Sequence, residues 1–172
     1  MKDRLNALEV ALNNELRERE FYLRNATRTK NSVGAAMFRQ IAAEELEHYE
    51  RLHALKETWE SLKQWPETVP LKVKETVVKD ILKGALKQAA GAPAGDADDL
   101  AALRTAIAFE AKGTEFYAAL RDEVADPREK AFFALLSAIE HEHFTSLKDT
   151  EEYLTDPDGW FRKTDRGGLD GA

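Results

Sequence analysis

Six side chains able to hold metal ions recur in this sequence as two sets of three. Glu15, Glu45 and His48 in the first half match Glu110, Glu140 and His143 in the second, at a constant offset of 95 residues. The interval from Glu15 to Glu45 is 30 residues, and so is that from Glu110 to Glu140. Tyr22, Phe38 and Leu52 recur at the same offset as Tyr117, Phe133 and Leu147. Each half therefore supplies one glutamate, then a Glu-x-x-His. Four carboxylates carry −4, which two divalent cations balance, and two imidazoles add neutral nitrogen donors. The expected chemistry is a carboxylate-bridged two-metal centre, each metal taking one terminal glutamate, one histidine and a share of two bridging glutamates.

Such residues work together only if helices aim them at one point. In the first segment the stripe Leu8, Ala11, Glu15, Glu18, Tyr22 advances by three and four residues, the spacing of one helix face. The matching stripes are Phe38, Ile41, Glu45, His48, Leu52, then Leu103, Ala106, Glu110, Gly113, Tyr117, then Phe133, Leu136, Glu140, His143, Leu147. All six candidate ligands fall mid-helix on the apolar seam, where uncompensated carboxylates would be costly. Glu18 lies one turn from Glu15 on the same stripe, so it is either an extra ligand or an acid at the solvent mouth. Tyr22 and Tyr117 are either core aromatics or donors to the carboxylates. His53 and His141 fall off the stripes and read as surface residues.

Helical spacing predicts long helices over 3–31, 34–64, 97–124 and 127–154. The second stops before Trp65-Pro66, because proline disfavours helix in the residue before it. Asp126, Pro127 and Glu129 form a capping-box-like start for the fourth, and Asp96 or Asp98 caps the third. Short turns make 3–64 and 97–154 two antiparallel hairpins. Residues 65–96 form a long crossover whose apolar spacing (Val73, Val77, Val78, Ile81, Leu82, Leu86) predicts a short helix packed outside, followed by a Gly91–Gly95 linker. Residues 1–154 thus read as an all-α four-helix bundle. Residues 155–172 read as a non-helical tail, interrupted by proline and glycines, with Trp160 and Phe161 docked on the bundle or on a neighbouring subunit.

The 172 residues carry a net charge of −7 with acids and bases interspersed, which gives nucleic acid no basic stripe to bind. There is no run of 18 apolar residues to span a membrane, and Met1–Leu5 open no signal peptide. A cytoplasmic location is expected. Cysteine is absent, which excludes disulfides, iron–sulfur ligation and thiol nucleophiles within the chain. Apolar surface at Trp59, Trp65, Trp160 and the crossover predicts a homodimer.

The motifs NELREREFY (14–22) with EELEH (44–48), and AFEAKGTEFY (108–117) with EHEH (140–143), resemble the rubrerythrin branch of the ferritin-like superfamily. The resemblance runs from about residue 5 to 154. It implies that Glu15, Glu45, His48, Glu110, Glu140 and His143 ligate two iron ions. It also implies an oxidoreductase, active in oxidative stress, that reduces hydrogen peroxide or oxidises ferrous iron. Manganese or zinc suits the same ligand types. Rubrerythrins proper carry a rubredoxin-like domain with two Cys-x-x-Cys pairs. This chain has no cysteine, so an external electron donor such as a rubredoxin-type protein is implied. The family also has a further glutamate one turn after the third-helix ligand, where this sequence has Gly113, while Glu18 occupies the mirror position. The two metals are therefore expected to be inequivalent. Rival readings are a ferroxidase serving iron storage, a manganese catalase-like enzyme and a non-catalytic helical interaction module.

Overall fold

In a computed structural model the described residues are 2–62, 76–89 and 94–167. They form six helices: α1 (Lys2–Arg28), α2 (Ser32–Leu62), α3 (Val78–Gln88), α4 (Ala97–Glu123), α5 (Pro127–Thr155) and α6 (Pro157–Gly167). No strand occurs among the described residues. The turn between α1 and α2 is short because Asn31 caps α2. Its Oδ1 accepts the backbone N–H of Val33 at 2.9 Å and of Gly34 at 3.2 Å. Asp96 caps α4 through the Asp99 N–H at 2.9 Å, and Asp126 caps α5 through the Arg128 N–H at 2.8 Å. In each case a short polar side chain satisfies donors that the first helical turn leaves unpaired.

Cross-helix pairs fix the directions. Glu9 meets Lys56, Glu15 meets His48 and Tyr22 stacks on Phe38, so α1 and α2 are antiparallel. Tyr117 on Phe133, Glu110 by His143 and Arg104 with Glu151 show the same for α4 and α5. Tyr22 with Glu110 and Tyr117 with Glu15 make α1 and α4 antiparallel as well. It follows that α2 and α4 run in the same direction, so the crossover must travel the length of the bundle. α3 covers part of that path. It lays Val78, Leu82 and Leu86 into the core, from the level of Glu44 and Glu142 to Ala89, whose carbonyl accepts the Tyr153 hydroxyl at 3.2 Å. Val77 is half exposed, and Val73, Trp65 and Pro66 lie outside the described residues. The chain turns into α4 at Gly95, whose N–H donates to the Leu154 carbonyl at 2.9 Å. A Cβ there would sit 2.7 Å from Leu154 Cδ2, so a larger residue would have to displace the Leu154 side chain.

Two apolar clusters cap the ligand level from either end. One is built around Phe38, Met37, Ile41, Leu103, Leu147 and Tyr153. The other is built around Leu8, Leu52, Leu55, Leu136, Phe132 and Phe133.

The expectation of a non-helical tail is corrected. The proline and glycine do break α5 at Asp156, but the chain resumes as α6. Pro157 suits a first helical position, and Asp156 accepts the Gly159 N–H at 2.9 Å, which makes it a cap rather than a terminator. Trp160 and Phe161 meet the Tyr153 ring edge-on at 6.0 and 5.9 Å between centroids, so the tail docks on its own bundle. Trp160 and the crossover helix, advanced above as surface for a dimer, are thus packed within the chain.

Candidate metal centre

Because each stripe faces inward at the same height, all four long helices contribute to one buried cluster. Glu15, Glu45, His48, Glu110, Glu140 and His143 are each 2% exposed or less. Their donor atoms fall into two groups of four, Glu15–Glu45–His48–Glu140 and Glu45–Glu110–Glu140–His143, with all atoms of a group within 4.8 Å of one another. Glu45 and Glu140 belong to both groups. Glu15 and His48 belong to one, Glu110 and His143 to the other.

The distances are those of donors converging on one point. His48 Nδ1 lies 3.2 Å from Glu45, 3.3 Å from Glu15 and 3.3 Å from Glu140. His143 Nδ1 lies 3.4 Å from both Glu45 and Glu110. Donors held about 2.1 Å from one cation stand roughly 3.0–3.4 Å apart, in octahedral or tetrahedral arrangement. The two rings stack at 6.0 Å between centroids. Glu45 Oε1, Glu110 Oε2, both oxygens of Glu140 and His143 Nδ1 are buried without a hydrogen-bond partner. Unmatched buried donors and acceptors are costly; others lie elsewhere, at Arg19, Thr29, Asp99 and Ser146, but these five converge on one cluster. The residues present therefore fit a pair of bound cations.

Without cations the cluster holds protons instead. Burial, reinforced by the charge of Glu45, pushes the Glu15 carboxyl well up, and burial with the Glu140 charge does the same to Glu110. Burial disfavours the imidazolium form of His48 and His143. The facing carboxylates outweigh it and hold both well above the usual histidine value. Glu45 is held low: burial opposes its charge, but the Glu15 hydrogen bond and the two imidazoles more than compensate.

Tyr22 and Tyr117 donate to carboxylates, and the pairing is crossed: Tyr22 bonds Glu110 and Tyr117 bonds Glu15. Each ring stacks on a phenylalanine of its own hairpin, Tyr22 on Phe38 and Tyr117 on Phe133, and these two pairs are repeat equivalents. Glu18 joins neither group of four. It lines a cleft of about 520 Å³ between α1 and α4 with Arg17, Phe21, Lys112 and Gly113. Burial and the carboxylates of Glu45, Glu110, Glu140 and Glu15 push its carboxyl up to about 10. Glu18 therefore stands at the mouth of the cleft, beside the cluster. Gly113 stands where the cleft meets the cluster, and a Cβ there would lie 3.0 Å from Glu140 Oε2. His53 and His141 are exposed and take no part.

Glu44 escaped the sequence reading. Its Oε2 lies 2.7 Å from His143 Nε2. It sits one residue before a candidate ligand, a position that reads as the helix flank. The signal was its repeat equivalent, Ile139: an isoleucine at the matching position marks a helix–helix contact rather than solvent.

A bundle of two antiparallel hairpins around a mid-bundle carboxylate–histidine cluster defines a ferritin-like protein with a buried site suited to a dinuclear metal. Residues 6–89, the first hairpin and the crossover helix, match the rubrerythrin family model, and over this stretch the chain is rubrerythrin-like. No curated protein and no solved structure matches it. No helix among the described residues is long and apolar enough to cross a membrane.

Proposed function

We propose that this protein is an iron-dependent oxidoreductase that reduces hydrogen peroxide. The observation that carries the reading is the pair of four-donor groups sharing Glu45 and Glu140. In this reading Glu15 and His48 complete one iron site, and Glu110 and His143 complete the other. Two ferrous ions held there would supply the two electrons that, with two protons, convert hydrogen peroxide to two waters. The chain's residues supply position and enclosure. Tyr22 and Tyr117 hold the terminal carboxylates, the two apolar clusters exclude water from either end, and the α1–α4 cleft gives a small molecule access beside Gly113. Electrons return from an external donor, because the chain has no cysteine to hold an iron–sulfur or rubredoxin-type centre of its own. Manganese suits the same donor set.

Mixing the anaerobic, ferrous-loaded chain with peroxide tests this reading. Oxidation of two irons per chain, faster than for free ferrous ion and abolished in Glu140→Ala, is expected. Oxidation no faster than free iron would sink it. A second reading, in which ferrous iron is itself the substrate, is favoured by Glu18, an acid lining the cleft beside the cluster. Continued oxidation beyond two irons per chain would select it.

A further inference from the structure

Glu44 touches three helices at once. From α2 its Oε2 accepts from His143 Nε2 on α5 at 2.7 Å. Its Oε1 accepts from Gln40 Nε2 at 2.7 Å and from the Val77 backbone N–H, at the start of α3, at 3.2 Å. The side chain is only 13% exposed, and His143 is fully buried. A carboxylate oxygen 2.7 Å from a ring nitrogen is placed to accept its N–H. His143 Nε2 therefore bears the proton, and the ring turns Nδ1 toward Glu45 and Glu110, 3.4 Å away.

Among the described residues the other half shows no counterpart of this contact. The repeat equivalent of Glu44 is Ile139, which has no acceptor. A partner on the far nitrogen of a ligating histidine fixes its tautomer and orientation and typically accounts for about 10–100-fold in metal affinity.

We propose that Glu44 is a positioning residue for one half of the centre only: it holds His143 with Nδ1 facing the cluster and ties that ring to the start of α3. The inequivalence of the two sites then resides in this outer contact as well as in the Glu18–Gly113 difference. The inference rests on the dinuclear reading for its metal-binding consequence, but not for the ring geometry.

Histidine-¹⁵N-labelled chain separates the two. In the metal-free protein the His143 Nε2–H gives a protected ring-proton signal, which Glu44→Ala abolishes while speeding amide exchange at Val77. On titration with Zn²⁺, Glu44→Ala raises the concentration at which His143 responds roughly 10–100-fold over that in the native chain and leaves the His48 response where it was. Glu44→Gln keeps the shape and an acceptor oxygen. It serves if the alanine variant does not fold, with the His143 response still weakened selectively. A ring proton that stays protected in Glu44→Ala overturns the proposal, as does a His143 response at the native chain's Zn²⁺ concentration in either variant. A native chain in which neither histidine responds to Zn²⁺ defeats the dinuclear reading instead, and the ring proton alone then decides the role of Glu44.

Discussion

Tyr22 on α1 donates its hydroxyl to Glu110 on α4, not to Glu15 two turns back on its own helix. Tyr117 returns the contact to Glu15. Each repeat thus holds the terminal carboxylate of the other, and the cluster is a joint product of both hairpins. Burial, then the facing Glu110 carboxylate, pushes the Tyr22 hydroxyl well up, so it remains a donor. Tyr117 is raised in the same way by burial and Glu15.

The crossed pairing predicts which site each tyrosine serves. Tyr22→Phe should weaken metal binding at the Glu110–His143 half, and Tyr117→Phe at the Glu15–His48 half. Each should also cost roughly 1–3 kcal/mol of stability for the carboxylate left without its donor. Resolved two-site titration calorimetry on both variants checks this. The opposite assignment would mean that the tyrosines act through their own helices.

The division into shared and unshared carboxylates predicts different losses of metal. Glu45→Ala or Glu140→Ala should lose both ions, whereas Glu15→Ala or Glu110→Ala should retain about one ion per chain. Elemental analysis after loading and desalting reads this directly. One retained ion in Glu140→Ala would remove that residue from its bridging role.

The metal-free chain should lose stability as pH rises above about 4.5. Glu15 and Glu110 have raised values, so the folded state keeps protons that the unfolded chain releases above its ordinary value of 4.5. His48 and His143 act the same way above 6.5. The contribution is full below these unfolded values and fades as pH climbs through the folded ones. Glu44 and Glu45, held low, lose their contribution only as pH falls below 4.5. Thermal melts in chelator should therefore give a lower Tm at pH 8 than at pH 5. Metal displaces these protons, so its affinity should increase with pH. At 1,000 times Kd each ion adds about 4 kcal/mol, or roughly 8–16 °C in Tm for a chain of this size. A metal-free Tm that climbs from pH 5 to pH 8 would contradict the electrostatics.

Gly113→Ala should separate folding from binding. Alanine in a helix interior is favoured over glycine by about 0.5–1 kcal/mol. The added Cβ, however, would stand 3.0 Å from Glu140 Oε2, so the carboxylate must shift by a few tenths of an ångström. The metal-free variant should melt slightly higher while binding metal more weakly. Chelator-competition titrations beside the melts distinguish this from a general packing defect.

The sequence by itself determined the duplicated hairpins, the long crossover and the convergence of Glu15, Glu45, His48, Glu110, Glu140 and His143. Helical periodicity alone carries that information, because residues three and four apart share a face whatever that face meets. It also carried the cap at Asp126 and narrowed that of α4 to Asp96 or Asp98, of which the structure uses Asp96. Only the tertiary structure decided what depends on the rotation and spacing of neighbouring helices. This includes the shared role of Glu45 and Glu140, the crossing of the tyrosines and the place of Glu18 at the cleft. It also includes the reach of Glu44 to His143 and α3. The tail lay between these cases. Its breakers were legible, but its return to helix needed Tyr153 as a surface on which Trp160 and Phe161 could pack. A stripe fixes the face on which a side chain lies, whereas its partner is fixed by the helix that comes to rest opposite.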